Sequence, residues 1–134
     1  MYVVKIENVF VDVELEYKGK RISKKALVDT GASKSIISRK LAVELGALIP
    51  LDEPYELRTA NKNGRLYIIG FARLRIKFQG VTIPGGCTFE VADNLREDID
   101  VIIGRPEIDS WGIIFTPELS LIHISEPTRP RLIS

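Results

Sequence analysis

The segment of this chain best suited to chemistry is Asp29-Thr30-Gly31-Ala32-Ser33, which directly follows the apolar run Ala26-Leu27-Val28. A carboxylate at the end of a buried strand has its backbone fixed on one side, and Gly31 permits close approach of another backbone or of a bound molecule. Asp29 is therefore a candidate general base toward a water molecule. A plain turn after a strand is the simpler interpretation, and the residues around the segment decide between the two.

Those flanking residues extend the pattern. Apolar residues precede Asp29, and Ser35-Ile36-Ile37-Ser38 follows the motif. The whole segment resembles the retroviral-protease-like (retropepsin) family of aspartic proteases. The resemblance implies a mainly β fold, a closed β-barrel of the retropepsin-like acid protease type with one or two short helices. It also implies peptide-bond hydrolysis with no cofactor and no metal ion.

In that family the chemistry needs two carboxylates, one as general base on water and one to donate a proton to the scissile carbonyl. Like charges a few Å apart cannot both ionise, so the pair shares one proton. This sequence has one motif, because Asp109-Ser110-Trp111 lacks the glycine and Asp98-Ile99-Asp100 precedes an apolar run. The resemblance therefore implies a two-fold homodimer in which each subunit contributes one Asp29.

A second segment, Val101-Ile102-Ile103-Gly104-Arg105, resembles the family's apolar-Gly-Arg sequence before its last helix. It implies that Ile103, Gly104 and Arg105 support the active-site loop. Between the two segments, residues 55–70 lie where the family has its flap, a hairpin that closes over a polypeptide substrate. An ordinary exposed hairpin is the alternative. The expected substrate-binding tip consists of Ala60, Asn61, Lys62, Asn63 and Gly64.

The resemblance also assigns roles within the first motif. Asp29 would activate water in one subunit and polarise the carbonyl in the other. Thr30 would hydrogen-bond across the dimer axis, since its hydroxyl both donates and accepts. Gly31 would present a backbone carbonyl to the substrate, and Ala32 would form the floor of the substrate pocket.

Ser33 is a departure from the family pattern, although it is still expected to contact substrate. Many retroviral enzymes have a second Asp at this position, which pairs with the arginine that corresponds to Arg105. Because Ser33 is neutral, that ion pair is absent. Arg105 is then expected to pair with Glu107, Asp109 or a carboxylate elsewhere.

Composition limits the remaining classes. The 134 residues suit one small domain, and 45% apolar with 28% charged residues is ordinary for a globular protein. The formal charge of +1 predicts neither nucleic-acid nor anionic-membrane binding, and no apolar run is long enough for a membrane span. Cys87 alone cannot form an internal disulfide and is typical of a small buried residue. With no signal-like start, this predicts a cytoplasmic protein.

Periodicity predicts one mostly-β domain. Alternation from Val9 to Tyr17 predicts a strand, and Lys18-Gly19-Lys20 a turn into a second strand that ends at Val28. Ser38 and Gly46 are the expected caps of a short helix. Further strands are predicted at 55–59, 66–78, 81–83, 87–91, 100–103 and 113–115, with a helical turn at 106–112.

The last sixteen residues read differently from the rest. Residues 119–129 match an in-frame translation of a transposon adapter used in preparing sequencing libraries. We therefore predict a retropepsin-like protease subunit at 1–118, truncated near the family's last strand, and a non-native tail at 119–134. A genuine C-terminal strand at 120–124 is the alternative.

Two other functions remain open at this point. The domain could be a non-catalytic peptide-binding or dimerisation module of the same fold. It could also be a small β-barrel unrelated to proteases, with Asp29 in a plain turn. Two Asp29 carboxylates within hydrogen-bonding reach across a two-fold axis would distinguish an aspartic protease from both of these alternatives.

Overall fold

The computed structural model describes residues 9–58, 64–116 and 121–124. In chain order the elements are β1 (Val9–Tyr17), β2 (Lys20–Val28), β3 (Ile36–Ser38), α1 (Arg39–Leu45), β4 (Ile49–Arg58), β5 (Arg65–Phe78), β6 (Val81–Thr82), β7 (Cys87–Ala92), β8 (Val101–Ile103), α2 (Arg105–Ser110), β9 (Ile113–Thr116) and β10 (Leu121–Ile124).

Six strands close into a barrel. They hydrogen-bond in the order β1, β2, β8, β3, β7, β5, and β5 pairs with β1 to complete the ring. β4 pairs with the first half of β5, and β6 pairs with the end of β5. The predicted fold class, a closed and mainly β barrel with one or two short helices, is confirmed, and the described residues form two helices.

The β1–β2 hairpin forms as the alternation predicts. Val11, Val13 and Leu15 are buried, and the acidic residues between them face outward. Lys18 and Gly19 both have positive φ, 49° and 88°. A two-residue hairpin turn requires this if its twist is to match that of the flanking strands. β2 therefore ends at Val28, a buried residue of the barrel core that directly precedes Asp29.

Helix α1 begins and ends where its caps were predicted. The Ser38 hydroxyl accepts a hydrogen bond from the Leu41 amide at 3.1 Å, and Gly46 ends the helix with a left-handed φ of 73°. Leu41, Ala42 and Leu45 face the core. This helix holds the segment that follows the Asp29 loop against the barrel.

The strands differ from prediction by more than one residue in two places. β3 was not predicted, because three residues are too few to show an alternation; it pairs in parallel with β7 and antiparallel with β8. β4 begins at Ile49 rather than Tyr55, since an irregularity between Pro50 and Tyr55 interrupts its pairing with β5. Of the predicted hairpin tip, residues 60–63 lie outside the described residues and Gly64 lies within them.

The buried apolar residues form two clusters. The larger one fills the barrel, where Phe78 and Trp111 meet edge to face with ring centroids 5.6 Å apart. The smaller one lies beside the Asp29 loop and includes Ala32 of that loop. Its buried members are Leu27, Ala32, Ile36, Leu66, Ile68, Ala92, Ile99 and Ile102.

The end of the described chain forms a separate two-stranded sheet. β10 pairs antiparallel with β9, and neither strand joins the barrel sheet. β10 falls within the segment that the sequence assigns to a non-native tail. That assignment stays a prediction, because an apolar segment can pair with a neighbouring strand whatever its origin.

Candidate active site

Asp29 is fixed by its own backbone at the point where β2 leaves the barrel. Its amide donates to the Ile103 carbonyl at 3.0 Å, and its carbonyl accepts from the Ala32 amide at 3.1 Å. One carboxylate oxygen, Oδ1, accepts from the Gly31 amide at 2.9 Å. The side chain is half-buried. The loop therefore holds a carboxylate in one orientation and leaves it accessible to water.

The second predicted segment supports this loop directly. β2 pairs in parallel with β8, so that Val28 is opposite Ile103. The Arg105 amide then donates to the Ala32 carbonyl at 2.8 Å. The structure thus brings Ile103 and Arg105 of the expected support residues into contact with the motif.

Gly104 lies between these two contacts in a space that admits no side chain. A Cβ at this position would lie 2.4 Å from the Lys34 carbonyl oxygen and 2.9 Å from that of Ala32. Its φ of −98° is open to any residue, so close approach and not backbone conformation requires glycine here. The two loops touch because residue 104 has no side chain.

Ser35 and Glu107 join the same two loops, and sequence reasoning singled out neither for the site. The Ser35 side chain is buried; its hydroxyl accepts from the Gly104 amide at 2.9 Å and donates to Oε1 of Glu107. The sequence signal was present but weak: a serine ahead of two isoleucines that both face the interior.

Arg105 resolves one of the alternatives left open above. Its guanidinium pairs with Asp109 one helical turn later, with Nη2 and Oδ1 3.1 Å apart. Glu107 instead accepts from Ser35, as described. Both groups of the Arg105–Asp109 pair are more than half exposed, so the pair is worth little to stability.

The expected motif residues differ in exposure. Ala32 is buried in the smaller apolar cluster, next to Leu27 and Ile102 of the adjoining strands. Thr30, Gly31 and Ser33 are exposed in the single chain. An apolar wall and a row of exposed polar groups therefore adjoin Asp29. Leu27 and Ile102 were not predicted as site residues, because their place depends on the β2–β8 pairing.

Of the expected hairpin tip, Gly64 is described and half-buried, while Ala60, Asn61, Lys62 and Asn63 lie outside the described residues. The arm that leads to the tip is anchored to the barrel, since the Tyr55 hydroxyl donates to Oε1 of Glu90 on β7 at 2.7 Å. Burial, followed by the hydrogen bond and charge of Glu90, raises the pKa of Tyr55 to about 12.

The described part of the chain holds no group of three metal-ligating side chains and no helix long and apolar enough to cross a membrane. Burial, assisted by the charge of Glu107, raises the pKa of the Cys87 thiol, so Cys87 stays protonated and poorly nucleophilic.

Two open depressions, about 570 and 510 Å³, lie away from Asp29. The first is bordered by charged residues of β1, β2 and β5, among them Asp12, Lys25 and Lys77. Asp12 and Lys25 form an exposed ion pair at 2.7 Å. Asp29 is not among the residues that line either depression.

Comparison with known proteins agrees with this geometry. A sequence model of a family described as aspartyl protease matches residues 13–106, well over half of the chain and both motif segments. A search of curated protein sequences gives no significant match.

Two solved structures are similar to the chain in fold. The retroviral protease-like domain of Ddi1 from Leishmania major has 18% sequence identity and a TM-score of 0.61, over 92% of this chain and 98% of that one. EIAV protease in complex with the inhibitor HBY-793 has 19% identity and a TM-score of 0.53, over 83% of this chain and 94% of that one. At these identities the likeness shows the fold, and the predicted retropepsin-like barrel is confirmed.

Proposed function

We propose that this chain, which belongs to the aspartyl protease family, is one subunit of a homodimeric aspartic endopeptidase. Each subunit contributes one Asp29 to a shared site on the two-fold axis. The observation that carries the proposal is the loop itself, in which the half-buried Asp29 is fixed by Ile103 and Gly31. The sequence supplies one such motif per chain, so two chains are needed for two carboxylates.

In this dimer the two Asp29 carboxyl groups share one proton. The ionised one removes a proton from a water molecule, whose oxygen attacks the scissile carbonyl carbon. The protonated one donates to the carbonyl oxygen, giving a neutral tetrahedral diol. The carboxyl group that took the proton from water then gives it to the amide nitrogen, while the other carboxylate takes a proton from one diol hydroxyl. The carbon–nitrogen bond breaks, an amine and a carboxylic acid leave, and the pair again shares one proton.

The other expected residues have roles that fit their exposure. Thr30 is exposed and its hydroxyl is available to bond its symmetry mate, which would lock the two loops together. Gly31 and Ser33 offer polar groups to an extended peptide. The smaller apolar cluster, which contains Ala32, supplies a wall for apolar substrate side chains. The β4–β5 hairpin, with its tip at Ala60 to Gly64, would close over the peptide and exclude water.

Substitution of Asp29 tests the proposal. Asp29→Asn keeps the shape and the acceptor for the Gly31 amide but removes the ionisable group, so peptide cleavage should be abolished while the fold persists. Asp12→Asn is the matched control, because Asp12 forms an exposed ion pair and lies outside the proposed site. Cleavage is measured by mass spectrometry on a peptide library, and the fold by circular dichroism.

Each outcome has a defined meaning. Loss of cleavage in Asp29→Asn and retention in Asp12→Asn support the proposal. Undiminished cleavage by Asp29→Asn contradicts it. Peptide binding without cleavage by the unaltered chain favours the non-catalytic module of the same fold. A cytoplasmic location and the absence of nucleic-acid and membrane partners stay predictions.

A further inference from the structure

We infer that Glu107 and Ser35 are positioning residues for the Asp29 loop, acting together as a relayed cap at the start of α2. The inference rests on the proposed function, since it concerns the geometry of the proposed catalytic carboxylate. Neither side chain touches the reacting atoms. Their effect passes through Gly104 and the backbone contacts on either side of it.

The start of α2 lacks an ordinary cap. Gly104 occupies the N-cap position and has no side chain to accept from the first amides of the helix. In a common helix-start motif a Glu at the third helical position reaches back to the N-cap amide. Glu107 is that third residue, but its carboxylate meets the Ser35 hydroxyl instead. That hydroxyl accepts from the Gly104 amide at 2.9 Å. The Ser35 hydroxyl thus connects the Gly104 amide to the Glu107 carboxylate.

The relay spans two loops that are distant in sequence. Ser35 follows the Asp29 motif and lies 72 positions from Glu107. The Ser35 carbonyl also accepts from the Glu90 amide at 2.9 Å, which fixes the serine to β7. Because Ser35 is only 3% exposed, water cannot readily replace Glu107 as the acceptor of its hydroxyl proton. The buried hydroxyl therefore needs the Glu107 carboxylate.

The position of Gly104 determines that of the Asp29 loop. The carbonyl oxygens of Ala32 and Lys34 lie so close to Gly104 that they leave no space for a Cβ. The neighbours of Gly104 make the two backbone bonds already described, from Asp29 to Ile103 and from Arg105 to Ala32. If Glu107 no longer holds the Ser35 hydroxyl, both bonds are free to lengthen. A displacement of the carboxylate by about 1 Å is enough to cost a large factor in rate while affecting peptide binding much less.

The test compares Glu107→Leu with Asp109→Leu. Both substitutions remove a carboxylate from α2, but the second breaks only the exposed pair with Arg105. In a peptide-cleavage assay Glu107→Leu should lower kcat by about tenfold or more with little change in KM. Asp109→Leu should leave both parameters near those of the unaltered chain. Glu107→Gln, which keeps an acceptor oxygen, should restore most of kcat.

A second measurement does not depend on activity. Hydrogen exchange by NMR should show faster exchange of the Gly104 and Asp29 amides in Glu107→Leu, by about tenfold, with the Val13 amide of β1 unchanged. If Glu107→Leu does not fold, Ser35→Ala and Ser35→Thr make the same comparison, because only threonine keeps the hydroxyl.

These readouts separate the two proposals. If the unaltered chain cleaves peptides and Glu107→Leu has the kcat of Asp109→Leu, the inference is wrong and the proposed function stands. If the unaltered chain cleaves nothing, the proposed function fails and the exchange data alone decide whether the relay holds the loop. Equal acceleration at Gly104 and Val13 would mean that Glu107 stabilises the whole fold, which also overturns the inference.

Discussion

At the scale of single residues, the site could be predicted where it depends on local sequence. Asp29, Gly31 and Gly104 belong to contiguous motifs. In the structure the Gly31 amide donates to Asp29, and Gly104 lies close to the carbonyl oxygens of Ala32 and Lys34. Ser35 and Glu107 were missed because their bond joins two segments that only the folded barrel brings together. No property of either residue alone indicates that partner.

Gly104→Ala is predicted to destabilise the protein and to abolish cleavage. The added methyl group would overlap the Lys34 and Ala32 carbonyl oxygens, and such overpacking typically costs about 1–3 kcal/mol. Gly19→Ala is the control. Gly19 has a φ of 88° and open space around it, so this substitution should lower the free energy of unfolding by about 1–2 kcal/mol without loss of cleavage. Urea unfolding and a cleavage assay make the comparison. Normal activity of Gly104→Ala would show that the loop contact is not needed.

Tyr55 gives a prediction in alkaline solution. Its pKa is raised to about 12 from the ordinary 10.0, so between these values the unfolded chain loses a proton that the folded chain keeps. The contribution of Tyr55 to stability is therefore complete below pH 10 and is lost as the pH rises toward 12. Tyr55→Phe should remove this part of the decline, measured by urea unfolding from pH 9 to 12.

A charge-only variant checks the cause. Glu90→Gln keeps an acceptor for the Tyr55 hydroxyl but removes the negative charge, so the absorbance step of Tyr55 near 295 nm should move toward lower pH. A step that stays in place would show that the charge of Glu90 does not contribute, and would leave burial and the hydrogen bond as the causes.

At the scale of elements, local signals were sufficient for the β1–β2 hairpin and for α1. The hairpin turn is formed by Lys18 and Gly19, and α1 is capped by Ser38 and Gly46, so both signals lie within or next to the element. β3 and the first half of β4 have no such signal. β3 exists because β7 and β8 lie on either side of it, which is a property of the tertiary fold.

Ser38→Ala is predicted to lower the free energy of unfolding by about 0.5–2 kcal/mol. The hydroxyl caps α1 at Leu41 and also donates to Oδ1 of Asp100 at 2.8 Å, which connects the helix to the segment before β8. Ser38→Thr keeps both bonds and should lose much less. The measurement is urea unfolding of the three proteins. Equal stability of Ser38→Ala and the unaltered chain would contradict the role of the cap.

At the scale of the whole molecule, barrel closure is what brings the two motif segments together, and the β9–β10 sheet is separate from it. An isolated two-stranded sheet is marginally stable in water. The barrel is therefore expected to be stable without β10, and this separation is the structural basis for a test of the tail.

Deletion of residues 119–134 is predicted to change the free energy of unfolding of the barrel little, since β10 pairs only with β9 among the described strands. Urea unfolding measures the stability, and sedimentation at several concentrations measures the oligomeric state. If the proposed homodimer is the active form, specific activity should fall on dilution with or without the tail, because dilution dissociates the dimer. A tail deletion that dissociates a tight dimer would show that residues 119–134 are natural structure.

The parallel pairing of β2 with β8 also governs when the site can form during synthesis. Val28 leaves the ribosome early, but its partner Ile103 is made only after most of the chain has been translated. Contacts between segments so distant in sequence form slowly, because closing a long loop costs conformational entropy before the contacts can stabilise the chain. The β1–β2 hairpin can fold while the chain is still growing. The Asp29 loop cannot reach its final conformation until β8 emerges, because its contact with Ile103 does not exist before then.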